Sequence, residues 1–359
     1  MAALGLPTAQ AQTAASNVQV FGIIDLAAEY ASHVNLGNGS DARQLRLGLG
    51  ATPSRLGFRG SEDLGGGLKA VFTLEGGINA DTGTSGQGSR MWGRQAFVGL
   101  AGDWGQLTAG RLYTMRYYAM FDGDFFGAGS QGLGTIDAGI PNARADNAVS
   151  YRFNAGPFSG GVNYSVGRDT VAGNNAAATG CAGETAVSRQ CRELSAMARY
   201  DGGHWAVSAA WERLNGGTAA TFGGLTTPDL TDTRTVVNGF FRPTADTKLG
   251  AGLLLRNEGS AATPRTRLYW VVGEARLAEP LMLTGMLAQI GYRGSPNKAT
   301  VLALRANYAL SKRSTAYVSN QFVSNQGTLA VAASSNAPGT GPLPGGTQNA
   351  LQFGLAHSF

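Results

Sequence analysis

Apolar and polar residues alternate with a period of two along most of the chain. In residues 18–30, Val18, Val20, Gly22, Ile24, Leu26, Ala28 and Tyr30 share one face, while Gln19, Asp25 and Glu29 fall on the other. Successive side chains of a strand point to opposite sides, so this pattern predicts a strand with one apolar and one wet face. Ala70, Phe72 and Leu74 oppose Lys69, Thr73 and Glu75; Val149, Tyr151 and Phe153 oppose Ser150 and Arg152. Phe158, Val162 and Tyr164 oppose Asn163 and Ser165, and Trp205, Val207, Ala209 and Trp211 oppose Ser208 and Glu212. At the end, Leu351, Phe353, Leu355 and Phe359 oppose Gln352. About 16 such segments recur, within the range of closed membrane barrels. They are expected at 18–30, 43–60, 68–77, 92–100, 104–111, 147–154, 157–167, 193–201, 204–212, 233–242, 247–256, 266–276, 281–291, 299–309, 314–323 and 349–359.

The connections alternate in length. Short ones include 62–67, 243–246, 278–280 and 311–313; long ones include 31–42, 78–90, 112–146, 168–192, 213–232 and 324–348. Tight turns on one rim and long loops on the other suit an all-β transmembrane antiparallel barrel. A soluble sandwich alternates too, so period alone does not decide. The wet face is rich in Gly and Arg, as a water-filled lumen requires. Aromatics sit near segment ends, at Tyr30, Trp92, Trp104, Tyr151, Tyr164, Tyr200, Trp205, Trp211, Tyr317 and Phe359, where girdles form at membrane interfaces. In lipid every backbone polar group must be paired, which favours a closed barrel for weakly apolar strands.

Composition narrows the choice. Glycine accounts for 54 of 359 residues and charged residues for 14%, which excludes a coiled coil or long helical protein. The glycines lack a period of three, which excludes collagen. No apolar run is long enough for a transmembrane helix. The net charge is +5, and only four of the 28 basic residues are lysines. The arginines are dispersed singly rather than clustered, unlike a nucleic-acid-binding patch, so no nucleic-acid partner is expected. Guanidinium groups are always ionised and hold anions in a rigid fork, so isolated arginines in a low-charge chain point to a lined interior. Ala9-Gln10-Ala11 fits a signal-peptidase site, so residues 1–11 are expected to be a residual signal peptide, with 12–359 a single barrel domain.

Five stretches in series resemble the Gram-negative general porins, betaproteobacterial type. Ser54–Gly65 (SRLGFRGSEDLG) resembles their second strand and first periplasmic turn, Gly93–Leu100 (GRQAFVGL) the fourth strand, and Trp104–Arg111 (WGQLTAGR) the fifth. Tyr308–Thr315 (YALSKRST) resembles a late turn, and Phe353–Phe359 (FGLAHSF) the closing strand. The resemblance implies an outer-membrane homotrimer of 16-stranded barrels, each a passive channel for small hydrophilic solutes and ions. It implies contact with membrane lipid and lipopolysaccharide, and a third extracellular loop, about 112–146, folded into the lumen. Phe359 would be part of the signal read by the barrel assembly machinery. Two departures stand out. The family's Leu-Arg-His-Arg-Phe ending is Leu355-Ala356-His357-Ser358-Phe359 here, and its Asp-Pro-Phe or Pro-Glu-Phe loop segment is Phe121-Asp122-Gly123-Asp124-Phe125-Phe126.

A pore needs a constriction whose charges act across a narrow gap. By the resemblance, Arg55, Arg94 and Arg144 belong to an arginine cluster on the barrel wall, with Arg59 on the same strand face as Arg55. Asp122 and Asp124 on the third loop, and Glu75 on the wall, are the expected counter-charges. Excess arginine would favour anions. Cys181 and Cys191 are the only cysteines, and an even pair in an exported protein is expected to form a disulfide. The three histidines, His33, His204 and His357, are far apart, so neither a metal site nor a hydrolytic centre is expected, and no cofactor. Two rivals stand beside the general channel: a substrate-specific channel of the same fold for organic acids, phosphate or sugars, and a non-channel surface adhesin.

Overall fold

The computed structural model describes residues 17–173, 175–218, 223–260, 265–336 and 339–359. The expected leader, 1–11, lies outside the described residues. All strands of the barrel join one antiparallel sheet whose first and last members pair, as in Leu26 opposite Leu355. The sheet has 18 strand segments. Asp41–Leu49 and Arg55–Gly65 are two parts of one crossing, and Thr84–Ser85 is a two-residue ribbon against the end of a neighbouring strand. That leaves sixteen crossings around a closed barrel.

In chain order these are β1 (Asn17–Asn35), β2 (Asp41–Leu49 and Arg55–Gly65), β3 (Leu68–Asn79), β4 (Gln95–Gly102), β5 (Gly105–Tyr113) and β6 (Arg144–Ala155). There follow β7 (Phe158–Ser165), β8 (Glu193–Asp201), β9 (Trp205–Asn215), β10 (Thr231–Thr244) and β11 (Thr247–Glu258). The last five are β12 (Arg265–Ala278), β13 (Leu281–Tyr292), β14 (Lys298–Ala309), β15 (Ser314–Gln326) and β16 (Thr347–Ser358). Each expected segment has its strand. The exception in detail is 43–60, which breaks at residues 50–54. Pro53 has no N–H to give the ladder, and five residues here face only Ile24 and Asp25 of β1.

Burial is inverted relative to a soluble protein. The apolar positions Val98, Val149, Val162, Val271, Leu304 and Phe353 are exposed, while the opposite positions Glu29, Glu75, Asn163, Ser208 and Gln352 are buried. The apolar side therefore faces outward to lipid and the polar side inward to the lumen. Aromatic contacts gather at the rim of short turns. Trp104 stacks with Tyr151, whose hydroxyl donates to the Trp104 carbonyl at 2.6 Å, and Tyr200 sits between Phe158 and Trp205. Tyr317, expected in the girdle, is instead buried on the inner face, where its hydroxyl donates to Asp25 Oδ1 at 2.6 Å. Its neighbour Val318 takes the outward position.

On β10–β15 both faces are apolar. Val236, Leu254, Leu268, Trp270, Met286, Val301 and Val323 point inward and are covered by Ala119, Met120, Phe126, Leu133, Ile136 and Ile140. The covering residues all belong to the segment between β5 and β6. These strands lose clean alternation because lipid lies on one side and packed chain on the other.

Candidate pore constriction

The β5–β6 connection runs round the inner wall. Its helix, Met115–Met120, starts against β8 and β9: the Met115 N–H donates to Ser195 Oγ at 3.0 Å, and Arg116 Nε to Glu212 Oε2 at 2.7 Å. Onward, Asn238 of β10 donates to the Ala119 carbonyl, Trp270 of β12 to the Gly123 carbonyl, and Arg305 of β14 to the Phe125 carbonyl. The Gly132 N–H then donates to Gln321 of β15, and Gln131 to the Ala350 carbonyl of β16. The Ser130 N–H reaches Gly50 in the break of β2. The loop thus lies inside the barrel, tied to one half of the wall and to the break in β2.

Between this loop and β2–β4 an open cavity remains, faced by Arg55, Arg59, Thr73, Glu75, Arg94 and Gln95 on the wall. The loop side is Tyr113, Tyr117, Phe121 and Phe126. Arg94 Nε donates to Glu75 Oε1 at 2.8 Å and its Nη2 to the Tyr113 hydroxyl at 2.9 Å. Arg55 Nε lies 3.4 Å from the same Glu75 oxygen, and Gln95 Nε2 donates to the other at 2.9 Å. Arg144 stacks over the Tyr113 ring at 4.7 Å and donates to its hydroxyl at 3.2 Å. Arg59 is exposed, with its guanidinium 5.0 Å from the centre of the Phe21 ring. Gly57 gives that ring its room: a Cβ there would sit 2.5 Å from Phe21 Cζ.

Arg55, Arg94, Arg144 and Glu75 are therefore brought together, and Arg59 lies beside them. Asp122 and Asp124 are on the loop but do not face these arginines. Asp122 accepts from Arg199 Nε at 2.8 Å and from Ser208, on β8 and β9. Asp124 turns into the loop, where its Oδ1 accepts the N–H groups of Phe126 and Gly127, both at 3.1 Å. Burial pushes its carboxyl up to about 6. Tight turns recruit Asp for such local bonding, which takes Asp124 out of the gap; Asp122 lines a neighbouring cavity, paired with Arg199. The loop face toward the arginines is aromatic instead. Tyr113 ends β5, Tyr117 lies in the helix and Phe121 caps its C-terminus, so the three rings come together only in the folded chain.

A second charged cluster was not foreseen. Arg234 pairs with Asp137 at 3.2 Å and with Asp232, and Arg256 pairs with Asp232 at 2.9 Å and Glu258 at 2.5 Å. The returning arm of the loop is anchored through Asp137, whose carboxyl is held below its usual range by Arg234 against the opposing effect of burial. Asp232 and Arg234 share one face of β10, and Arg256 and Glu258 share one face of its neighbour β11; only Asp137 comes from a distant part of the chain. Cys181 and Cys191 are joined, with Cα atoms 5.2 Å apart, in the connection between β7 and β8. Among the described residues no three His, Cys, Asp or Glu side chains converge as a metal site would need.

The closed sixteen-crossing barrel, the inward loop and the arginine-faced gap belong together in one family. Residues 1–328 match the model of the Gram-negative porins. The chain is a member of that family. It is 29% identical to outer membrane porin protein 32 of Delftia acidovorans over 99% of this chain and 97% of that one. It is 32% identical to an outer membrane porin protein of Bordetella pertussis, over 60% of this chain and 58% of the relative. The solved structure of an anion-selective porin from Comamonas acidovorans superposes with a TM-score of 0.76 at 25% identity, covering 96% of this chain and all of that one. This porin is an outer-membrane protein, and its fold and family point to a channel rather than an enzyme.

Proposed function

We propose that this porin is a general diffusion channel that passes small hydrophilic solutes and prefers anions, with Arg55, Arg59, Arg94 and Arg144 setting the preference. The observation that carries the reading is the charge balance at the gap. Three guanidinium groups face it from the wall, Arg144 stands behind Tyr113, and Glu75 is the carboxylate among them. A carboxylate shared between two guanidiniums neutralises only part of their charge, and a narrow gap leaves the rest poorly screened. The anion-selective relative supports the same sign.

The reading extends to a homotrimer embedded in outer-membrane lipid and lipopolysaccharide. Its support is the outer face of β16, β1 and β2, where Leu45, Leu47, Phe353 and Leu355 stand in a continuous exposed apolar band, with Leu45 81% exposed. Phe359 is proposed as part of the assembly signal. Single-channel recording in a planar bilayer under a KCl gradient tests the main reading. A stepwise conductance whose reversal potential favours chloride is expected. Cation preference overturns the role of the arginines, and a silent, correctly folded barrel overturns the open channel.

A further inference from the structure

The loop face of the gap is built from aromatic rings. Tyr113 and Tyr117 stack with centroids 3.7 Å apart and an interplanar angle of 6°. Phe121 meets Tyr117 edge-on at 4.9 Å and 82°. Phe121 is 54% exposed although it lies inside the barrel. Its exposed ring offers a solute in the lumen an apolar face and a polarised edge. Chloride has no use for it.

The ring also stands between two groups of arginines. It lines the cavity that holds Arg55, Arg59 and Arg94, and it lines a second cavity that holds Arg152 and Arg199, the latter paired with Asp122 at 2.8 Å. Arg152 and Arg199 lie toward the short-turn ends of β6 and β8, near Pro157 and Gly202. The two cavities therefore share an aromatic step, with guanidiniums on either side of it. A guanidinium recognises a carboxylate through its fork of donors, and an aromatic edge recognises a second ring by offset or edge-to-face contact.

We propose that the constriction selects aromatic carboxylates among anions, with Tyr117 and Phe121 receiving the ring while Arg55 and Arg59 hold the carboxylate. This rests on the anion-preferring reading above and specifies its solute class. Such a solute dwells at the step longer than a size-matched aliphatic acid, and so interrupts the chloride current at lower concentration. An aromatic pair of this kind accounts for a difference of roughly two- to tenfold.

The test is chloride conductance of the purified porin in a planar bilayer, titrated with benzoate and, separately, with cyclohexanecarboxylate, which has the same charge and similar size but no π-face. Half-block by benzoate is expected at several-fold lower concentration than by cyclohexanecarboxylate. The ratio is expected to collapse to near one in Phe121→Ala and to be retained in Phe121→Tyr. Equal half-block by the two acids in the wild-type channel overturns the proposal, as does an unchanged ratio in Phe121→Ala. The reversal potential of the wild-type channel in KCl alone, measured in the same membrane, separates the two levels. If it favours potassium, the anion reading itself has failed; if it favours chloride while the ratio is one, only the aromatic selection has failed.

Discussion

Arg94 donates its Nε to Glu75 Oε1 at 2.8 Å, and both side chains are almost fully buried in the wall of β3 and the approach to β4. The pair is a fixed part of the constriction rather than two mobile lumen charges. Arg55 leans on the same oxygen at 3.4 Å but keeps 29% of its side chain exposed. One carboxylate therefore orders two guanidiniums, of which Arg55 is the more accessible.

Replacing Glu75 by Gln removes the shared negative charge while leaving an acceptor oxygen for Arg94. Chloride-over-potassium permeability is expected to rise, read as a shift in reversal potential under a KCl gradient. Because a buried guanidinium loses its counter-charge, thermal stability should fall as well, by up to about 3 kcal/mol. An unchanged reversal potential would remove Glu75 from the list of groups that set selectivity.

Arginine substitutions should rank by exposure to the gap. Arg55→Ser is expected to lower the chloride preference more than Arg144→Ser, because the Arg144 guanidinium is stacked on Tyr113 and donates to the Pro141 carbonyl. Permeability ratios of the two variants measured side by side decide this. The reverse order would mean that Arg144, not Arg55, carries the field.

Asp124 is expected to make the third loop sensitive to pH. Its carboxyl, ordinarily near 3.8, is raised to about 6 by burial, against the lowering effect of two backbone N–H groups. Between these values the folded loop holds a proton that the opened loop releases. The contribution is present in full below about 4 and is lost as pH rises through about 6. Hydrogen-exchange protection at Phe126 and Gly127, corrected for intrinsic rates, is expected to fall by up to about a hundredfold across that window. In Asp124→Asn, which mimics the protonated group, the profile should be flat.

Barrel closure ends on Phe359. Its N–H and carbonyl exchange bonds with Gly22 at 3.1 Å each, and a Cβ on Gly22 would lie 2.4 Å from the Phe359 ring. Gly22→Val should therefore displace the ring and lower the temperature at which the barrel unfolds in detergent. Deleting Phe359 should do the same and reduce the yield of assembled barrel in the outer membrane. Normal yield after deletion would argue against its part in the assembly signal.

The Cys181–Cys191 bond closes a short loop whose carbonyls accept from the N–H groups of Arg168 and Asp169. Loop-closure entropy for such a span is of order 3 kcal/mol. Replacing both cysteines by serine should expose residues 168–192 to protease nicking while leaving the barrel folded, as seen by limited proteolysis against gel mobility. Equal resistance in both proteins would show that the backbone bonds alone order the loop.

The wall was legible in the sequence because a strand alternates sides at every residue and lipid demands that one side be apolar. That constraint acts within ten consecutive residues, so Val149, Tyr151 and Phe153 against Ser150 and Arg152 suffice to place β6. The same local rule put Arg55 and Arg59 on the inner face and set Glu75 opposite Leu74. It misled at Tyr317, since an aromatic near a strand end carries no mark of which interface, or which face, its hydroxyl will satisfy. The loop obeys no such rule. Asp122 and Asp124 are adjacent to the gap in sequence, yet one is taken by Arg199 and Ser208 and the other by the N–H groups of its own turn. Those partners lie up to 86 positions away. Where a charge finally points depends on which donors the closed barrel brings within reach. Sequence alone determined the barrel, its inward arginines and its family; only the tertiary structure decided that aromatic rings, not carboxylates, face those arginines across the gap.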